Sequence, residues 1–152
     1  MFKTIFKTTD DISPLILRVL LGGVFFPHGA QKVLGWFGGY GFTSTMGFFT
    51  GTMHIPSLFA FLAIAAEFAG PLALIAGLFT RVAACGIAAV MAVAVITTHA
   101  QHGFFMNWSG AQKGEGIEYH LLAAGIALVL ILAGGGRFSA DRAITRQLDQ
   151  AK

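Results

Sequence analysis

Charged side chains are scarce in this sequence, and that scarcity limits what the protein can be. Only 11% of the 152 residues are charged and 55% are hydrophobic, whereas soluble domains carry about 25% charged residues. Water is therefore not the main solvent of this chain, and we expect a single membrane domain over residues 1–152. The net charge is only +3, and no stretch is rich in lysine and arginine, which argues against binding to nucleic acid.

Cysteine is nearly absent as well. Cys85 stands alone, so neither an intrachain disulfide nor a Cys-x-x-Cys dithiol can form. Small residues surround it, and we expect it to be buried. No ligands have a metal-binding spacing such as His-Glu-x-x-His, so no metal is predicted. A metal site is conceivable only from four scattered residues: His28, Glu67, Glu118 and His99.

Long apolar runs are present, and they predict an all-α, four-helix transmembrane bundle. Each of the longer runs can cross a hydrocarbon core of about 30 Å at about 1.5 Å per residue, whereas the last is near the lower limit. Between the first two runs, Phe42, Met46, Phe49 and Met53 recur at helical spacing and predict a short amphipathic helix in the membrane interface. The four predicted spans are residues 12–34, 57–79, 82–99 and 118–133.

The positions of the basic residues predict the orientation of the bundle. Two long loops, 35–56 and 100–117, contain a single lysine or arginine, Lys113. Because cytoplasmic segments carry the excess of lysine and arginine, we expect both termini inside and both long loops outside. The basic residues of the N-terminal lead, the tight turn and the tail are Lys3, Lys7, Arg81, Arg137, Arg142, Arg146 and Lys152.

Glu67 lies near the midpoint of the second span, where an acidic side chain costs on the order of 3 kcal/mol. It should therefore face protein and have a partner or a proton. The residues on its helical face are mostly small, which allows a second helix to approach closely. Glu67 either holds helices together by hydrogen bonding or takes part in proton or ligand chemistry. The residues that share its face are Ala60, Ala63, Gly70, Pro71 and Leu74.

Other polar residues lie within reach of Glu67 in an antiparallel bundle. His28 and Lys32 share a face near the outer end of span one, and Glu118 and Tyr119 begin span four from the same side. We expect these side chains to converge with Glu67 on one polar pocket. The alternatives are that Lys32 snorkels to the interface, that His28 is a hydrogen-bonded core residue and that Glu118 only begins a helix.

Arg18 lies near the inner end of span one. It either snorkels to the cytoplasmic side or pairs with Glu67, although helical side chains lean toward their own N-termini and so draw these two apart. His54, His99 and His102 are in or beside loops, where we expect them to be solvated.

The order of these motifs resembles the DoxX family of small bacterial inner-membrane proteins, over about residues 12–142. Pro71 is a departure, because a second glycine commonly follows Gly70. The motifs are Leu17-Arg18 with Gly22 and Gly23, Phe26-Pro27-His28-Gly29-Ala30-Gln31-Lys32, Glu67 with Gly70, Gly77 with Thr80-Arg81, Gly103-Phe104-Phe105, Glu118-Tyr119, and Gly136 with Ser139 and Asp141.

The resemblance implies a four-helix membrane protein and a link to quinones, since the family is named after a subunit of a thiosulfate:quinone oxidoreductase. We therefore predict a redox-associated subunit of the bacterial inner membrane, possessing a pocket for a quinone headgroup and assembling with itself or with a soluble redox subunit. The alternatives are a non-catalytic scaffold or anchor and, ranked last, a permeation protein. By this resemblance the catalytic residues are Glu67 and Glu118, and the cofactor-binding residues are Arg18, His28, Lys32 and Tyr119.

Overall fold

The computed structural model describes residues 2–150, which fold into seven α-helices without a β-strand. Lys152 and the side chain of Lys3, both counted in the basic pattern, lie outside the described part. A 3₁₀ turn follows α2, a π-helical turn extends α3, and a π-helical and a 3₁₀ turn extend α5 to His102. The helices are α1 (Phe2–Phe6), α2 (Ser13–Leu34), α3 (Gly41–Gly47), α4 (Ser57–Ala76), α5 (Thr80–Ala94), α6 (Glu118–Ala133) and α7 (Ala140–Gln150).

Three of these helical segments are long and apolar enough to cross a membrane. They are α2 with 22 residues, α4 with 20, and α5 with its extension, Thr80–His102, with 23. α6 is equally apolar but has only 16 residues. The second span ends at Ala76 rather than at residue 79, because Gly77 adopts a left-handed conformation (φ 66°) that ends the helix.

The apolar helices pack around one core. α2 packs against α4, α4 against α5, α5 against α6, and α6 against α2. Large apolar side chains also cover the outward faces of these helices, including Leu20, Leu62 and Leu122. Such a surface is suited to lipid rather than to water. The core residues are Leu21, Phe25, Leu74, Ala84, Ile87, Met91, Ala123, Ala127 and Leu130.

The contact between α2 and α4 brings two backbones together. A Cβ atom placed on Gly29 would lie 2.1 Å from the carbonyl oxygen of Glu67, and one on Gly22 would lie 2.8 Å from that of Pro71. Neither position has room for a side chain. The prediction that the face around Glu67 packs closely on another helix is therefore confirmed.

α1 and α7 were not predicted, and they meet beside the α4–α5 turn. The Thr145 hydroxyl on α7 donates a hydrogen bond to the Phe6 carbonyl (2.8 Å). The Phe6 ring lies 5.0 Å from that of Phe79 in the turn. The N-terminal lead, the turn and the tail, which carry most of the basic residues, are therefore at the same end of the molecule.

The predicted helix of the first long loop is present as α3 and its π-helical turn, Phe48–Thr52. Phe42 packs edge-on against Phe61 of α4, with ring centroids 6.4 Å apart. The expected location of this helix in a membrane interface remains a prediction. The expectation for Cys85 was wrong, because the residue lies with Val82 and Ala89 on the outward face of α5 and is exposed.

Candidate functional site

Glu67 forms an ion pair with Lys32, and this pair joins α4 to α2. Glu67 is only 7% exposed, and its Oε2 accepts a hydrogen bond from the Lys32 ammonium group. Gly29 permits the pairing, since it lies against the Glu67 backbone and brings the two helices close. The buried carboxylate thus has the partner that its location requires.

Three aromatic rings lie near this ion pair. The His28 ring lies 6.5 Å from that of Tyr119, and Phe25 stacks on Tyr119 at 6.0 Å between centroids. Glu67 is within electrostatic range of both His28 and Tyr119. We call Lys32, Glu67, His28 and Tyr119 the polar cluster.

The hydrogen-bonding capacity of the polar cluster is not fully used. The Tyr119 hydroxyl is buried and has no hydrogen-bond partner among the described residues. His28, by contrast, is exposed at the surface of the helices, so the cluster has one open side. A buried hydroxyl without a partner is uncommon in folded proteins and indicates a place for a ligand or a water molecule.

Glu118 does not join the polar cluster, contrary to expectation. Its Oε2 accepts a hydrogen bond from the Met106 N–H (3.1 Å), and its own N–H donates to the Phe104 carbonyl (2.9 Å). Glu118 therefore fastens the second long loop to the start of α6. Of the alternatives considered for this residue, a structural one at the helix start fits best.

Arg18 also lies apart from the polar cluster, and neither expectation for it was right. It is 2% exposed, so it does not snorkel to water. Its guanidinium group binds backbone carbonyls near the end of α4 and in the segment before α7, and it makes no ion pair with Glu67. The four carbonyls belong to Leu74 (3.0 Å), Ile75, Gly135 (3.1 Å) and Phe138 (2.9 Å).

Asp141 completes the arrangement around Arg18, and sequence reasoning missed its role. Its carboxylate, 1% exposed, accepts hydrogen bonds from the N–H groups of Phe79 (2.7 Å) and Thr80 (2.9 Å). A cation thus lies at the C-terminus of α4 and an anion at the N-terminus of α5, each matching the helix dipole beside it. We call Arg18 and Asp141 the turn clamp. Its signal in the sequence was the Gly136, Ser139 and Asp141 motif.

His99 and His120 form a pair that was not predicted. Their ring centroids are 4.1 Å apart, and His99 Nδ1 is hydrogen-bonded to the Glu115 carbonyl oxygen (2.8 Å). His120 is buried and lines an apolar groove of about 300 Å³ between α5 and α6. His99 is therefore not a freely solvated loop residue. Within residues 2–150, no three His, Cys, Asp or Glu side chains are grouped to hold a metal ion.

Comparison with known proteins places this set of helices and polar residues in a family. The sequence model of the DoxX family matches residues 13–100, more than half of the chain. The chain belongs to the DoxX family. The match includes α2 and α4, and with them the Lys32–Glu67 pair, His28 and Arg18.

Two relatives of this DoxX protein cover most of its length. "Putative oxidoreductase CatD" of Bacillus subtilis is 33% identical over 130 residues, which are 86% of this chain and 84% of CatD. "Inner membrane protein YqjF" of Escherichia coli is 26% identical over 141 residues, which are 93% of this chain and 98% of YqjF. No solved structure matches the chain. This DoxX protein is accordingly a membrane protein.

Proposed function

We propose that this DoxX protein is a redox-associated membrane subunit whose polar cluster binds the headgroup of a quinone. The observation that carries the proposal is the buried Tyr119 hydroxyl, which has no partner and lies beside the Lys32–Glu67 ion pair. The printed name of CatD, an oxidoreductase, supports the redox assignment by similarity. A quinone would supply reversible uptake of two electrons and two protons.

The residues of the polar cluster fit such a headgroup. Quinone oxygens accept hydrogen bonds, and the Tyr119 hydroxyl, the Lys32 ammonium group and a His28 N–H are donors at this place. Glu67 binds Lys32 through Oε2, which leaves Oε1 as the atom to hold or release a proton. Phe25 and Tyr119 pack together beside the pair and limit the entry of water. The exposed His28 marks the side from which a lipid-soluble molecule would enter.

We further propose that four helices cross the bacterial inner membrane, with both termini in the cytoplasm. α6 would be the fourth span, in a bilayer that thins slightly around its 16 residues. The contacts of α1, the α4–α5 turn and α7 support the orientation, because they bring the basic segments to one end. The printed name of YqjF, an inner membrane protein, supports the location by similarity.

Native mass spectrometry of the detergent-extracted protein tests the quinone proposal. The wild-type protein should retain a quinone, and Tyr119→Phe, which removes only the unpartnered hydroxyl, should lower the retained fraction several-fold. Tyr40→Phe is the matched control, because Tyr40 is 86% exposed in the first long loop. Equal retention by both variants, or no retained quinone in the wild type, would argue against the proposal.

A second candidate function is that of a non-catalytic scaffold or anchor for a partner enzyme. Lys32 and Glu67 already pair with each other, and Arg18 already donates hydrogen bonds to four carbonyls. These groups stabilise the helix contacts without a ligand, which favours this function. Under this function, Glu67→Gln would leave cellular activity intact wherever the variant folds and assembles. Lost activity in a folded, assembled variant would favour the quinone site instead.

A further inference from the structure

The end of the molecule that carries α7 has a groove whose lining includes three arginines. Its volume is about 460 Å³, and it lies between the N-terminal lead and the first turns of α7. The groove shares no residue with the polar cluster. The residues that line it are Asp10, Arg137, Phe138, Ser139, Arg142, Ala143 and Arg146.

The lining of the groove is cationic. Three guanidinium groups and one carboxylate leave it with a net charge of +2. Asp10 pairs with both Arg142 and Arg137 and so fixes two of the arginines in place. Arg146 is exposed and has no ion-pair partner within residues 2–150. The groove thus has two prearranged cations and one that is free to bind an anion.

The charges in the groove persist at physiological pH. The hydrogen bond from Arg142 holds the pKa of the Asp10 carboxyl well below its usual range, and the same bond raises the pKa of Arg142. Although Asp10 contacts two arginines, its single negative charge offsets only one of the three positive charges. The remaining excess of two positive charges needs an anionic partner or water.

An apolar surface adjoins these charges. Phe138, a lining residue, is 73% exposed. Its carbonyl accepts a hydrogen bond from Arg18 Nη2 (2.9 Å), so the turn clamp holds its backbone in place. A ligand that carries both an anionic group and an apolar chain would contact the arginines and the Phe138 ring together, whereas a free inorganic anion would leave the ring exposed.

We propose that this groove binds the headgroup of an anionic phospholipid, and that it prefers a lipid with two phosphodiesters. Guanidinium groups bind phosphate oxygens through paired N–H donors. The excess charge of two in the groove equals the charge of a diphosphatidylglycerol headgroup and is twice that of phosphatidylglycerol. Basic pockets at the membrane surface next to spanning helices are suited to such headgroups. The inference does not depend on the quinone site.

Native mass spectrometry of the full chain, delipidated in detergent and titrated with defined lipids, tests this proposal. The wild type should bind diphosphatidylglycerol more tightly than phosphatidylglycerol, and phosphatidylcholine least. Arg146→Gln should weaken the binding of diphosphatidylglycerol about fivefold, the effect of one basic residue near a charged surface. Lys113→Gln is the matched control, since it removes the same charge from the second long loop and should change nothing.

Three results would overturn the proposal. The first is equal binding of anionic and zwitterionic lipids by the wild type. The second is an Arg146→Gln variant that binds like Lys113→Gln while folded. The third is displacement of the lipid by inorganic phosphate at equal concentration, which would make the groove a site for the free anion.

Discussion

Arg18 and Glu67 show two ways in which a charge is accommodated among apolar helices. Glu67 is neutralised by an opposite charge, Lys32, on the neighbouring helix. Arg18 is surrounded instead by carbonyl oxygens, and it stabilises a helix end whose last carbonyls lack intrahelical donors. The planar guanidinium group can serve carbonyls of different segments at once, which a single ammonium nitrogen does less well. Arg18 therefore stabilises the fold and is not part of the candidate site.

The variant Arg18→Lys tests this role at the residue scale. Lysine retains the positive charge but lacks the several N–H donors of the guanidinium group, so buried carbonyls are left without hydrogen-bond partners. We expect it to lower the free energy of unfolding by on the order of 3 kcal/mol, measured in detergent by denaturant titration. Arg137→Lys is the control: Arg137 lies in an exposed pair with Asp10, and the change should cost less than about 1 kcal/mol. Equal costs in the two variants would contradict the role given to Arg18.

At the scale of elements, the crossing of α2 and α4 determines where the polar cluster lies. Gly22 and Gly29 are seven residues apart, and both meet the α4 backbone directly. The closeness of the two helices is what lets Lys32 reach Glu67. The glycines therefore position the site without supplying any of its chemistry.

The variant Gly29→Ala tests the crossing. Its Cβ would lie 2.1 Å from the backbone of Glu67, and a backbone cannot move aside as a flexible side chain can. We expect a loss of about 3 kcal/mol or more, or failure to fold. At Gly23 a Cβ would meet no atom within 4 Å, so Gly23→Ala should be neutral or slightly stabilising in the same unfolding measurement. If the Gly29→Ala protein were as stable as Gly23→Ala, α2 and α4 would have to be farther apart than the structure shows.

Local patterns in the sequence predicted some elements and could not reveal others. Hydropathy predicted the apolar helices, and the small residues around Glu67 predicted its burial. The partners of Arg18 are separated from it by more than fifty positions, so no local pattern could show them. The π-helical turn Val95–His99 inserts a residue that a regular helical wheel does not contain, and this insertion changes the direction in which His99 points.

At the scale of the whole molecule, the two ends have different chemistry. At one end, Asp10 joins the N-terminal lead to α7 through Arg142, and to the segment before α7 through Arg137. At the other, Glu118 and the His99–His120 pair fasten the second long loop and the α5 extension. The polar cluster lies toward this second end, because Tyr119 directly follows Glu118 and Lys32 is in the last turn of α2. The polar cluster and the groove at α7 therefore lie toward opposite ends of the apolar helices.

The junction at Asp10 predicts a dependence of stability on pH. Hydrogen bonding from Arg142 lowers the pKa of Asp10 in the folded state, so the carboxylate stabilises the fold above its unfolded pKa of about 3.9. That contribution should decrease as the pH falls from this value through the lowered folded pKa. The melting temperature of Asp10→Asn should lie below that of the wild type at neutral pH and approach it below about pH 4. A difference that does not change with pH would contradict the role of this carboxylate.

The Lys32–Glu67 ion pair is the feature on which the polar cluster and the proposed quinone site both depend, and a double-mutant cycle tests it most directly. The free energy of unfolding would be measured for the wild type, Lys32→Met, Glu67→Met and the double variant. We expect Lys32→Met to cost about 3–5 kcal/mol, because it leaves the buried Glu67 carboxylate without a partner. Glu67→Met should cost less, because the Lys32 side chain is 25% exposed, and the double change should cost much less than the sum of the two. Costs that add within about 0.5 kcal/mol would show that the two side chains do not interact.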